Sequence, residues 1–372
     1  MRVYLDWNAT TPPLPEALVA MRVAGENAWG NPASVHTHGR VARACVEDAR
    51  EALAVLARVD ARDVVLTSGG TEANNLALRS AFAGATDRPT LVTSRLEHPS
   101  ITRVAEALER EGLARVHWLR VRSAGTIDLD DLRAVLREGR TRLVTIQTVN
   151  HETGVLQPVA DVTAMAREHG ARLHVDAVQG WGKVEVAWSG ADTVSVAAHK
   201  MRGPKGVGAL VSRAGVTLEP VLRGGAQERG LRPGTVDAVA CAGFAVAARN
   251  ASSGPSRYAA VATLRDELEA RLLARADGAI LNGVGARAPH VTNVALRGWT
   301  GAELVAALDL EGVSVSSGSA CSAGTQEPSP VLTAMVGEAR AACSVRVSLG
   351  EGTTRDEILF AADAFDRVLA RA

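Results

Sequence analysis

Short apolar runs rich in Val, Ile, Leu and Thr alternate along the chain with longer stretches whose apolar side chains recur every three or four positions. The first pattern is that of a strand buried on both faces, the second that of one buried helix face. In DVVLTSGGTEANNLALRSAF a strand gives way to a glycine turn and then a helix. PTLVTSRLEHPSITRVAEALEREG repeats the order, with the strand ending before His98 and the helix running through Ala105 and Leu108. TRLVTIQTVNHETGV reads as a strand and a polar loop, DVTAMAREHG as a helix, and ARLHVDAVQGWG as another strand and loop. ADTVSVAAHKMRGPKGVGALVSR reads as two short strands bracketing a Gly/Pro loop. This alternation predicts a mostly parallel sheet covered on both faces. In such a sheet the reactive loops lie beyond the carboxyl ends of the strands, where Asn150, Asp176, Gln179 and Lys200 all fall.

The polar stretch ARNASSGPSR interrupts the pattern and marks a boundary. The amphipathic run YAAVATLRDELEARLLARA follows, then shorter strands in HVTNVALRG and CSVRVSLG and two more helices. A smaller α+β unit is expected there, and 372 residues leave room for two domains. With 47% hydrophobic but only 3% aromatic residues, the core must be built mainly from Ala, Val and Leu. The 41 basic and 41 acidic residues cancel, so charge gives no general attraction to nucleic acid or an anionic membrane. No apolar run approaches the ~18 residues of a membrane span, and the opening MRVYLDWNATTPP does not resemble a secretory signal. Cys45, Cys241, Cys321 and Cys343 form neither a CxxC pair nor a disulfide-dense pattern, so a reducing, cytoplasmic location is expected.

The chain has only three lysines, Lys183, Lys200 and Lys205, which narrows any chemistry that needs a primary amine. HVDAVQ and SVAAHK place Asp176 and Lys200 at the ends of two strands. Pyridoxal phosphate needs that pair: an amine to hold its aldehyde as a Schiff base, and a carboxylate to keep its ring nitrogen protonated. Taken singly, the two residues read more readily as a turn cap and a surface lysine; the pair together, with lysine so scarce, favours the cofactor. TSGGTEANN supplies a strand–glycine–helix turn whose free N–H groups, at Gly70 and Thr71, suit a phosphate. His98 offers a flat ring to stack on a cofactor, or a structural loop histidine. His199 offers a phosphate donor, or a strand cap. Arg346 lies within the strand-like CSVRVSLG, a costly place for an unpaired charge. It reads either as a bidentate clamp on a substrate carboxylate or as half of an internal salt bridge. GVGARA is followed by Pro289 and reads as a turn, GPKGVG lacks P-loop spacing, and no metal-binding pattern stands out. Cys321 lies in SSGSACSAG, among small residues only, where a thiol is reactive and usually avoided.

YLDWNATTP, NPASVHTHG, TSGGTEANNLAL, EHPS, VNHETGV, HVDAVQ, AHKMRGPKGVGAL, GGAQERGLRPGT, SSGSACSAG and SVRVSLG occur in this order over nearly the whole chain. In this the chain resembles the cysteine desulfurases of the NifS/IscS type, within the class V, fold-type I aminotransferases. The resemblance implies an α/β fold. Residues 15–251 would form a large pyridoxal-phosphate-binding domain with a mainly parallel seven-stranded sheet between helices. Residues 1–14 and 252–372 would form a smaller α+β domain carrying the cysteine loop. Lys200 would hold the cofactor, Asp176 its ring nitrogen and Gln179 its ring hydroxyl. Asn150 would lie near that hydroxyl and the substrate carboxylate, and Arg346 would grip the latter. His98 would stack on the ring and is a candidate proton acceptor. Gly70, Thr71 and His199 would hold the phosphate, with Thr235 reaching the phosphate of the other subunit of a homodimer.

The implied reaction turns L-cysteine into L-alanine and leaves sulfur as a persulfide on Cys321. A segment of small residues suits a nucleophile that must meet the substrate's sulfur and then an acceptor, such as an iron–sulfur scaffold or a tRNA- or cofactor-thiolating system. Selenocysteine lyase, another class V activity, or a silent homologue serving as an assembly module are the alternative readings. Two departures stand out: Ala197 occupies a position where the family commonly has a phosphate-binding serine, and the stretch after Gly350 is shorter than the tail with which relatives dock a scaffold.

Overall fold

The computed structural model describes residues 1–185, 190–275, 278–318 and 328–371. The chain opens with a short strand, β1 (Val3–Tyr4), and two helices, α1 (Pro15–Asn27) and α2 (Thr37–Ala57). The main sheet is then built from β2 (Val64–Thr67), β3 (Thr90–Ser94), β4 (Arg115–Leu119), β5 (Thr141–Gln147), β6 (Arg172–Asp176), β7 (Thr193–Ala197) and β8 (Gly208–Ser212). Their order across the sheet is β2-β8-β7-β6-β5-β3-β4. Neighbours from β7 through β4 run parallel, and β8 is antiparallel to both β2 and β7. The seven-stranded, mainly parallel sheet expected from the sequence is therefore present. Every residue of β2, β3, β7 and β8 is buried, which is why these strands read as unbroken apolar runs rather than alternating ones.

Helices α3 (Gly70–Phe82), α4 (Pro99–Arg110), α5 (Leu129–Arg137) and α6 (Val159–Glu168) connect these strands. In α4 the spacing predicts the buried face: Ile101, Val104, Ala105 and Leu108 point inward, Pro99 starts the helix, and the His98 side chain caps it. On the other face α1 and α2 pack with α7 (Ala238–Ala251) through alanine-rich surfaces that allow close approach. Beneath α2, Arg50 makes a bidentate, buried pair with Glu228, whose second role is to accept the Leu66 N–H. Glu228 and Arg229 are both in the left-handed region, at φ 48 and 58, so this pair fixes an unusual turn in the loop leading to Thr235.

A second core lies beside the first. It joins Val3 and Leu5 with Tyr258, Leu268, Val345 and Phe365, side chains from both ends of the chain. Its sheets are β12 (Ser344–Ser348), β10 (Val291–Ala295) and β9 (Ile280–Leu281), antiparallel throughout, and the parallel pair of β1 with β11 (Val313–Ser314). Arg346 occupies the middle of β12, opposite Asn293.

Candidate active site

Because β3, β5, β6 and β7 are parallel, their carboxyl ends share one edge, and a cavity of about 230 Å³ opens there. It is lined by Gly70, Thr71, His98, Asp176, Gln179, His199, Lys200 and Arg346, eight residues singled out in the sequence. It is also lined by Asn8, Asn74 and His151, which were not.

Asp176 ends β6 with its carboxylate held in place. Its Oδ1 accepts the Val178 N–H at 3.0 Å and its Oδ2 accepts from the Asn74 amide at 2.8 Å. Asn74 also donates to Ser100 Oγ, so its oxygen is left to face His174 Nε2 at 3.0 Å. An amide oxygen can only accept, so His174 carries its proton on Nε2 and its Nδ1 accepts from the Thr193 hydroxyl. Burial holds the His174 pKa down at about 3, so the ring stays neutral. This chain of bonds aims a donor at Asp176.

Lys200 closes a one-turn 3-10 segment, Ala198–Lys200, directly after β7. Its Nζ donates to the Asn8 and Ala9 carbonyls at 2.5 and 2.8 Å, so the N-terminal segment lies over the amine. Gln179 donates to the same Asn8 carbonyl at 2.9 Å, while its Oε1 accepts from Lys183 Nζ at 2.8 Å. Lys183 is fully buried, and burial together with the charges of Lys200 and Arg346 pushes its pKa well below the usual lysine range. It does not line the cavity; it orients Gln179 so that the amide presents N–H groups, not oxygen.

The N-terminus of α3 forms another wall. Gly69, at φ +153, gives it no side-chain cap, and a Cβ on Gly70 would come within 2.6 Å of Val178 Cγ2. Only glycine fits, which leaves the first backbone N–H groups open to an anion. His199 contacts Thr10 Oγ1 at 3.1 Å, and Ala197 lines the same region with a methyl group where the family commonly has a hydroxyl.

His98 Nδ1 accepts the Ser100 N–H at 3.1 Å as the cap of α4. Its neutral ring therefore carries the proton on Nε2, and burial, aided by His151, lowers its pKa to about 4. A ring held in this way presents Nε2–H as a hydrogen-bond donor.

Arg346 forms an internal salt bridge and also lines the cavity. It is 2% exposed and lines the cavity, yet its Nη2 pairs with Asp6 Oδ1 at 2.6 Å and its Nη1 donates to the His151 carbonyl at 3.0 Å. Asn150 departs from expectation. Its oxygen accepts from the Glu152 and Thr153 N–H groups and the Thr153 hydroxyl, and its amide donates to Leu96 O. It is fully buried and shapes the turn that presents His151, instead of lining the cavity. Thr235 is exposed on the loop before α7, away from its own chain's cavity. Cys321 lies outside the described residues.

The cavity suits pyridoxal phosphate on three counts: an amine at one end, a carboxylate held by two hydrogen bonds in the wall, and an uncapped helix N-terminus that a side chain at Gly70 would obstruct.

The sequence profile of the class-V aminotransferases matches residues 3–360. A cysteine desulfurase of Cereibacter sphaeroides is 42% identical over 96% of this chain and 93% of its own length. An IscS-like cysteine desulfurase of Mycobacterium tuberculosis is 38% identical over 99% and 96%. Among solved structures, a NifS-like protein superposes with a TM-score of 0.92 at 32% identity over the whole of both chains. A second, SspA in complex with cysteine, gives 0.83 at 30% identity, covering 95% of this chain and all of that one. A family profile that runs almost from end to end, relatives matched over nearly their full length and a shared fold lead to one conclusion: the chain belongs to the class-V aminotransferase family, alongside its cysteine desulfurases.

Proposed function

We propose that this chain is a pyridoxal-phosphate-dependent cysteine desulfurase that converts L-cysteine to L-alanine and takes the sulfur as a persulfide on Cys321. The observation that carries the reading is one cavity holding Lys200, Asp176 and Arg346, in a chain whose relatives are named cysteine desulfurases. When bound, the cofactor supplies an aldehyde for amines and a protonated ring that withdraws electrons from the substrate's Cα. Lys200 Nζ would hold that aldehyde and would be the amine that moves the Cα proton. Asp176, oriented by Asn74 and the Val178 N–H, would face the ring nitrogen and hold its proton. Gln179 directs N–H toward the ring hydroxyl because Lys183 occupies its oxygen. The N–H groups of Gly70 and Thr71, the Thr71 hydroxyl and His199 hold the phosphate. His98, which lines the cavity, would stack on the ring and exclude water.

Arg346 grips the substrate carboxylate, which replaces Asp6 as its partner. Bonds between charged groups contribute about 1.5–3 kcal/mol, roughly 10- to 150-fold in affinity. Arg346→Lys is expected to lower kcat/KM for L-cysteine by that factor and to leave cofactor absorbance in place, since an ammonium cannot form the fork. Unchanged kcat/KM removes Arg346 from the substrate site, and a collapsed melting temperature leaves it only the salt bridge to Asp6.

A homodimer completes the proposal. Leu18, Val19 and Val23 on α1, with Trp29, Val35 and Val41, are exposed apolar side chains that a second copy would cover. Exposed Thr235 would then reach the partner's phosphate site. The persulfide would pass to an acceptor protein such as an iron–sulfur scaffold, in the cytoplasm. No helix among the described residues is long and apolar enough to cross a membrane.

Turnover with L-cysteine, measuring alanine and protein persulfide together, tests the reading. One alanine per persulfide is expected in the first turnover. A keto acid in place of alanine, or no product from the cofactor-loaded chain, refutes it.

A further inference from the structure

His151 has no part in the assignments above, yet it lines the cavity with only 7% of its surface exposed. Neither of its ring nitrogens has a hydrogen-bond partner among the described residues, and an unbonded buried imidazole is costly unless something enters to meet it. The turn built by Asn150 holds its backbone, and its carbonyl accepts from both Asn8 and Arg346. The ring is therefore aimed but not occupied. It stands edge-on to His98, with centroids 5.5 Å apart, so the two histidines share one end of the cavity.

Their states differ for a structural reason. His98 gives its Nδ1 to the cap of α4 and must keep its proton on Nε2. His151 is free of that constraint, with no hydrogen bond fixing either ring nitrogen among the described residues. Next to it is the fully buried Glu152, with Oε1 3.6 Å from His151 Nε2, close enough to stabilise an imidazolium. Glu152 also contacts the residues on either side of a stretch outside the described residues. Its Oε1 accepts from the Ser329 hydroxyl, and its Oε2 lies 3.6 Å from where a Cβ on Gly318 would sit. Gly318 and Ser329 bracket the stretch of sequence that contains Cys321. The other charged groups around His151 are Arg346 with Asp6 behind it, and Asp176 and Lys200 along the same cavity.

The geometry points to His151 as a further catalytic residue: the acid–base group that serves the sulfur-transfer step, with Glu152 as its counter-charge. The inference rests on the desulfurase reading. His151 takes the proton of the attacking thiol. The thiolate forms a bond to the substrate sulfur as the carbon–sulfur bond of L-cysteine breaks. The electron pair leaves with the carbon, and the proton held on His151 ends on that carbon, the methyl group of L-alanine. The substrate's own thiol hydrogen stays on the terminal sulfur of the persulfide. Sulfur is oxidised and carbon reduced by the same two electrons, so no outside oxidant or reductant is required.

The test separates this step from the one before it. His151→Asn and His151→Gln are compared with the parent holoenzyme in heavy water, following both Cα hydrogen exchange of L-cysteine and single-turnover persulfide formation. Exchange reports on Lys200 and is expected to stay within about threefold of the parent. Persulfide formation is expected to fall about 10²-fold, the usual size of a lost general acid–base contribution, and to lose the acid limb of its pH profile. Glu152→Gln is expected to lower it about tenfold. Persulfide formation within threefold of the parent in both His151 variants overturns the assignment. So does a parallel fall in exchange, persulfide and bound cofactor, which makes His151 structural. A parent that makes no alanine is a different failure, that of the desulfurase reading, and is seen before any variant is made.

Discussion

Lys200→Ala is expected to lose kcat/KM with L-cysteine by roughly 10³-fold or more, because one amine is asked both to hold the cofactor and to move the Cα proton. Reduction of the parent holoprotein with borohydride should fix the cofactor on Lys200, and the same treatment of Lys200→Ala should fix none. The competing amines can be separated on structural grounds. Lys205 is exposed in the loop between β7 and β8, outside the cavity. Lys183 is buried, but its Nζ is bonded to Gln179 Oε1, and Gln179 is the residue that lines the cavity. Lys183→Met should therefore keep the label on Lys200. It should also let the Gln179 amide turn over, which would alter the absorbance of the bound cofactor. A peptide map that puts the label on Lys183 or Lys205 overturns the assignment of Lys200.

The residues legible in the sequence are those whose position follows from one strand. Asp176 and Lys200 each end a buried strand, and parallel pairing then brings the ends together whatever lies between them. Gly70 and Thr71 were readable because strand, glycine and helix occur in direct succession. The missed residues depend on contacts between distant parts of the chain. Asn8 reaches the amine of Lys200 across 192 positions, and Asp6 meets Arg346 across 340. Nothing local in YLDWNATTP indicates either contact. His174 looked like an ordinary buried strand residue, and its link to Asp176 passes through Asn74 on another element. Asn74 itself lies one helical turn beyond Gly70 on the same face of α3, a signal that was available and went unused. Asn150, singled out in the sequence, does not line the cavity, whereas its neighbour His151, not singled out, does. Both are polar residues after a strand, and the turn geometry that consumes the side chain of one and presents that of the other appears only in three dimensions. The proposed boundary of the smaller domain draws on both ends of the chain, and Val3 and Leu5 do pack in one core with Val345 and Phe365.

An effect of the same size is expected from Cys321→Ala. The variant should fold, bind pyridoxal phosphate and respond to L-cysteine with a change in absorbance, since Lys200, Asp176 and Arg346 are untouched. Cα hydrogen exchange should persist for the same reason. Alanine and persulfide should fall by roughly 10³-fold or more, as when the nucleophile of a coupled catalytic unit is removed. The remaining cysteines provide the control. Cys241 is buried in the core between α2 and α7, and burial pushes its thiol up to about 12, so it is neither ionised nor accessible. Cys45 is partly buried on α2, with its thiol raised by burial and by Asp48. Cys343 donates its thiol to helix carbonyls of Ala339 and Arg340. None of the three lines the cavity, so their alanine variants should keep turnover within about threefold of the parent. Persulfide trapped mainly on Cys45, Cys241 or Cys343, or undiminished alanine production by Cys321→Ala, would remove sulfur transfer from the proposal while leaving the fold and the cofactor site standing.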